Sequence, residues 1–173
     1  MLESSALQYE QVKGVDLMGE QKQDQGRPQQ QQQQVPSPFN GVRVVKPQQF
    51  DPNTAQTPGM RRLAAVSREL AGARGLWAGL TLVAPHVASG KHHHGELETV
   101  IYVVSGRARI RWGERLEYEQ DVEPGDFIYV PPFVPHQEIN PSDEESCWVI
   151  VRNAQEPVVV NLDAPGDQEQ APR

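Results

Sequence analysis

The chain has 173 residues and a formal charge of -7 at neutral pH, and it contains one cysteine. The acidic balance argues against a nucleic-acid partner, because phosphate-binding surfaces need clustered Lys and Arg. Cys147 has no intrachain disulfide partner, no apolar run approaches the roughly 18 residues of a membrane span, and "MLESSALQYEQVKG" lacks a basic and an apolar leader region, so a cytoplasmic protein is expected.

In chain order, "GEQKQDQGRPQQQQQQVPSP" (19–38) offers almost nothing apolar, so ordering it would cost backbone entropy with no burial to offset the loss. Residues 1–39 are therefore expected to be a disordered Gln-rich extension. "GVRVVKPQQFDP" (41–52) reads as a short strand followed by an extended arm, since Pro47 and Pro52 stop a strand or helix from continuing. In "PGMRRLAAVSRELAG", Met60, Leu63, Ala64, Val66 and Leu70 lie near helical spacing and Gly72 ends the pattern, which predicts one short helix. Arm and helix together make up 40–74. Eight runs rich in Val, Ile, Tyr and Trp follow, from "LWAGLTLVAP" to "PVVVNL", separated by Gly, Pro, Asn and Asp. They predict an all-β sandwich or barrel over 75–162, with a flexible tail at 163–173.

All five histidines fall in this β region: His86, His92, His93, His94 and His136. In extended chain His92 and His94 share a face, and Glu98, four residues on, returns to it if the chain stays extended. His136 follows Pro131, Pro132 and Pro135, a stiff corner that limits how far its ring can wander. Nitrogen and oxygen donors of this kind suit a divalent transition metal: Fe, Mn, Ni, Cu or Zn.

Gly125, Pro131, His136 and Asn140 are spaced as in the second motif of the cupin superfamily, with Phe133 where that motif has an inner glycine. His92, His94 and Glu98 resemble the opening of the first motif, but Gly106 stands one residue further on than the motif places it. If spacing to the glycine governs, Thr99 takes the acid's place; if a bulge absorbs the extra residue, Glu98 is the ligand. The resemblance, with a bulge absorbing the extra residue, implies His92, His94, Glu98 and His136 as the metal ligands. The resemblance implies a double-stranded β-helix, or jelly-roll barrel, similar to the small mannose-6-phosphate-isomerase-like cupins. It further implies a small-molecule substrate, dioxygenase-type oxidation or sugar isomerisation, and a homodimer with the arm at 41–58 packed across a partner. A metal- or ligand-binding module without catalysis is the alternative.

Glu138, which shares the parity of His136, and Tyr102 are the candidate catalytic groups. Arg107, Arg109 and Arg111 alternate with Ala108, Ile110 and Trp112 and read as the solvent face of a strand rather than an anion-binding stripe. Cys147 reads as a small buried hydrophobe.

Overall fold

Alternation of buried and exposed side chains along the Val-, Ile- and Trp-rich runs builds two five-stranded antiparallel sheets packed face to face. The computed structural model describes residues 41–162; the expected extension at 1–39 and tail at 163–173 lie outside the described residues. The strands are β1 (Met60–Val66), β2 (Trp77–Val83), β3 (His92–His93), β4 (Thr99–Ser105), β5 (Ala108–Trp112), β6 (Tyr118–Val122), β7 (Phe127–Val130), β8 (His136–Ile139), β9 (Ser146–Arg152) and β10 (Val160–Asn161). One sheet has the order β1-β2-β9-β4-β7, the other β10-β3-β8-β5-β6. All eight predicted runs contain a strand, and the all-β expectation holds.

The inner faces meet in a core of Met60, Val83, Ile101, Val103, Ala108, Ile110, Val122 and Trp148. The registers align inward residues across the first sheet: Arg62 opposes Thr81, Gly79 opposes Ile150, and Arg152 lies between Trp77 and Thr99. On the second sheet His92 opposes His136, and Glu138 opposes Ile110. The metal-type side chains thus stand on one sheet and face the inward residues of the other.

Two expectations are corrected. Met60–Val66 is a strand rather than a helix, because it pairs along its whole length with β2, and Met60 and Ala64 enter the core. Only Arg68–Ala71 is helical (α1), a single turn whose start is capped by the Ser67 hydroxyl, 3.2 Å from the Leu70 amide, and whose end is the left-handed Gly72. The strand expected near residue 41 is also absent: the segment enters as irregular chain and a 3-10 turn at Pro47–Gln49.

The arm docks on its own chain. Asp51 and Ala64 exchange backbone hydrogen bonds of 2.9 and 2.8 Å, and the Gln56 side chain pairs with the backbone N–H and C=O of Arg62 at 2.7 and 3.0 Å. The free edge of β1 is thereby covered from residue 51 onward.

Candidate metal centre

The chain places three imidazoles around one point from two short elements. His92 and His94 enter from β3 and the residue just after it, and His136 opens β8 directly across from His92. Ring centroids lie 4.4 Å apart for His92 and His136, 4.9 Å for His92 and His94, and 5.0 Å for His94 and His136. The His92 and His136 pair is the cross-strand neighbour pair of β3 and β8, so the approach is a consequence of register.

Each ring is oriented by a backbone carbonyl. Nδ1 of His92 lies 2.8 Å from the Gly90 carbonyl, that of His94 2.8 Å from the Val158 carbonyl, and that of His136 2.8 Å from the Val134 carbonyl. A carbonyl only accepts, so each Nδ1 carries the proton and donates it, and in the neutral ring Nε2 keeps its lone pair. The Nε2 of His136 is buried and has no hydrogen-bond partner. A buried imidazole nitrogen with an unused lone pair is costly unless something binds it.

Glu138 completes the group. It sits two residues beyond His136 on the same inward face, with carboxylate oxygens 3.5 Å from His136 Nε2 and 3.7 Å from His92 Nε2. The donor atoms of His92, His94, His136 and Glu138 all lie within 4.8 Å of one another. Ser89 fixes the carboxylate: its hydroxyl donates to Glu138 at 2.7 Å and accepts from the Glu138 amide at 3.0 Å. Three imidazoles oriented through Nδ1 and one fixed carboxylate are a donor set that fits a divalent transition metal.

The electrostatics follow from burial and proximity. Burial pushes the Glu138 carboxyl up, but His136 and His92 beside it and the Ser89 hydroxyl outweigh that and hold it below the usual carboxylate range. Burial likewise pushes His136 down, yet Glu138 and the Val134 carbonyl raise it on balance. For His94 burial dominates, and the ring is lowered from 6.5 to about 4.

A pH dependence of the metal-free protein follows. Between pH 6.5 and about 4 the unfolded chain protonates His94 while the folded chain does not, so this contribution to stability is present above pH 6.5 and lost as pH falls through that window. His136, raised instead, acts in the other direction and above 6.5, where its contribution fades as pH rises. The melting temperature of metal-free protein should fall on acidification across the His94 window, and His94→Gln should flatten that part of the curve.

The structure corrects the placement of the expected acid. Thr99, Ile101 and Val103 face inward, so Glu98 faces outward, where it is exposed and accepts from the Tyr129 hydroxyl at 2.6 Å. The register irregularity in β4 falls between Val103 and Ser105, at the glycine end, and the strand's start is regular. Thr99 therefore takes the inward position beside the cluster, and Glu138 supplies the carboxylate. Tyr102 also lies on the outer face, its ring 4.7 Å from that of Phe127, and is not brought to the cluster. Phe133 adopts φ +61°, the left-handed backbone that a glycine at this motif position would take freely.

The arginines of β5, and Arg107 just before it, stand on the solvent face, as expected: Arg109 binds Asp121 at 2.6 Å, Arg111 approaches Glu119 at 3.5 Å, and Arg107 approaches Glu123 at 3.4 Å. The arginines that do face inward are Arg62 and Arg152. With His92, His94, Thr99 and Glu138 they line a cavity of about 380 Å³. Arg152 was legible through its parity with Trp148 and Ile150; Arg62 was hidden by the helical reading of its segment. On the other side His136 borders a second cavity of about 620 Å³, lined by Trp112, Ile128 and Val130. Cys147 is buried, as expected. No described helix is long and apolar enough to cross a membrane.

Comparison with known proteins agrees with this architecture. Residues 79–152 match the family described as Cupin domain. Gentisate 1,2 dioxygenase 1 of Aquipseudomonas alcaligenes is 28% identical over 96 residues, 54% of this chain and 24% of that protein, so the match spans about a quarter of that relative. Among solved structures, the polyketide cyclase RemF from Streptomyces resistomycificus superposes with a TM-score of 0.60 at 21% identity, covering 73% of this chain and 89% of that one. A recombinant oxalate oxidase in complex with glycolate superposes at 0.53 and 21% identity, covering 64% of this chain and 58% of that one. With paired five-stranded sheets and three histidines facing one carboxylate around the matched segment, residues 79–152 form a cupin domain.

Proposed function

We propose that His92, His94, His136 and Glu138 hold one divalent transition metal, and that the chain is a metal-dependent enzyme acting on a small organic molecule in the adjoining cavity. The observation that carries this reading is the buried Nε2 of His136, without a hydrogen-bond partner and turned with two further oriented imidazoles toward Glu138. Bound there, such a metal supplies Lewis acidity and, if it is iron, redox chemistry with dioxygen. The protein's own residues prepare the place: three backbone carbonyls hold the rings, Ser89 holds the carboxylate, and the sheets shield the cluster from water. Glu138 is read here as a ligand rather than as a free acid or base, and Tyr102 as a residue of the outer face.

Dioxygenase-type oxidation is the reaction proposed, supported by the gentisate dioxygenase relative; sugar isomerisation is the other reaction the family allows. Elemental analysis of protein isolated without added metal should find close to one transition metal per chain, and the loaded protein should consume oxygen with a small organic acid. Protein that is metal-free and cannot be reconstituted would overturn the proposal, while metal without oxygen uptake would favour isomerisation or simple ligand capture. Ligand capture has one observation in its favour: the cavity's single carboxylate, Glu138, is already engaged.

We also propose a homodimer. The exposed Val42 and Val44 of the arm, 88% and 71% accessible, offer apolar surface beyond the part that docks on β1. Light scattering should give the mass of two chains, and Val42→Ser with Val44→Ser should shift it toward one.

A further inference from the structure

The cavity beside the cluster has a second charged wall. Arg62 projects from β1 and Arg152 from β9, both on the inward face of the first sheet, across from the histidines of the second. Neither guanidinium has a carboxylate ion-pair partner among the described residues, whereas Arg68, Arg107, Arg109 and Arg111 each have one.

Each of the two is held from behind. Arg62 Nη1 donates to the Thr57 hydroxyl at 2.9 Å, and the backbone of Arg62 is clamped by Gln56. Arg152 lies over the Trp77 ring, its Cζ 4.2 Å from the ring centroid, and its Nε is buried with no hydrogen-bond partner. A guanidinium held over an aromatic face keeps its planar fork of N–H donors for a carboxylate.

The two charges also work against each other. Burial lowers both side chains, and Arg62 lowers Arg152 further, to about 10. Glu138, the one acid in the cavity wall, favours the Arg62 cation through its charge, but it is held by Ser89 and the histidines and forms no ion pair with either arginine. The two guanidiniums are therefore without an ion-paired anion, while Trp77, Ile150 and Val159 supply apolar surface for the rest of a ligand.

We propose that Arg62 and Arg152 form a carboxylate-binding subsite, so that the molecule bound opposite the His–Glu cluster is a small organic acid. This rests on reading the cavity as the substrate pocket, and it names the class of that substrate. Arg62 and Arg152 are binding and specificity residues in this assignment, with no part in holding the metal.

The test uses the full chain in metal-free and metal-loaded form, with benzoate, the neutral isostere benzamide, and inorganic phosphate as probes, each titrated by calorimetry. Benzoate is expected to bind in both forms, with benzamide at least 10-fold weaker. Arg152→Gln and Arg62→Gln should each weaken benzoate at least 10-fold, with Arg152→Lys in between because it keeps the charge but loses the fork. Metal content and melting temperature of the Arg152→Lys variant should stay at the wild-type value. Equal affinity for benzoate and benzamide, unchanged benzoate binding in the variants, tighter binding of phosphate than of benzoate, or loss of metal from Arg152→Lys would each overturn the assignment. Absence of metal from the purified protein would instead count against the metal proposal alone, since benzoate binding by the metal-free chain still decides this one.

Discussion

Replacing His136 with alanine is expected to reduce the bound transition metal from about one per chain to near zero and to weaken metal affinity well beyond 100-fold. Losing a group that merely orients a ligand costs about 10- to 100-fold, and His136 is placed to be a ligand itself, so its loss costs more. Its ring is 1% exposed, its Nδ1 is committed to the Val134 carbonyl, and its Nε2 has no hydrogen-bond partner and faces the Glu138 carboxylate, so only the Nε2 face is left for an ion. Elemental analysis of the purified variant reads the loss, and circular dichroism checks that the barrel persists. Because the imidazole fills core space, the variant should also lose about 1–3 kcal/mol of stability. Unchanged metal content in a folded variant would move the metal site elsewhere.

Replacing Asn140 with alanine should lower stability by about 3–5 kcal/mol, or roughly 10 °C or more in melting temperature, with little direct effect on the donor set. Asn140 has no exposed surface, and its amide nitrogen donates to the carbonyls of Val83, Ala84 and Glu144 at 3.0, 3.2 and 2.7 Å. Its oxygen accepts from the Ser142 amide at 3.0 Å and the Ser142 hydroxyl at 2.7 Å. One side chain thus ties the end of β2 to the turn between β8 and β9, and alanine leaves buried carbonyls without donors. Thermal unfolding of the variant measures the effect; a shift of under about 1 kcal/mol would mean that the turn is held by other means.

Much of the site was readable before the fold was known. Strand alternation puts His92 with His94, a matter of local periodicity, whereas His136 joins them through the resemblance of its proline corner and spacing to the second cupin motif. The carboxylate was misassigned because the choice between Glu98 and Thr99 turns on where one irregularity falls. That irregularity sits between Val103 and Ser105, and its location is set by pairing with β9, more than forty residues away in the chain. The first strand was hidden for a similar reason. Met60, Leu63, Ala64 and Val66 satisfy a helical spacing, and pairing with β2 overrides it. Arg62 then escaped notice, since a residue's facing is known only once its element is.

One orienting contact lies in an unusual place. The Nδ1 of His94 is held by the carbonyl of Val158, in the exposed stretch leading to the two-residue β10, which is fastened to β3 through Val160–His93 and Asn161–His92 and by the Leu162 amide on the Lys91 carbonyl. So short an outer strand frays far more often than the barrel melts. Each fraying event would release one imidazole while the other two stay fixed, so the lifetime of a bound ion would be governed by this local opening and not by global unfolding.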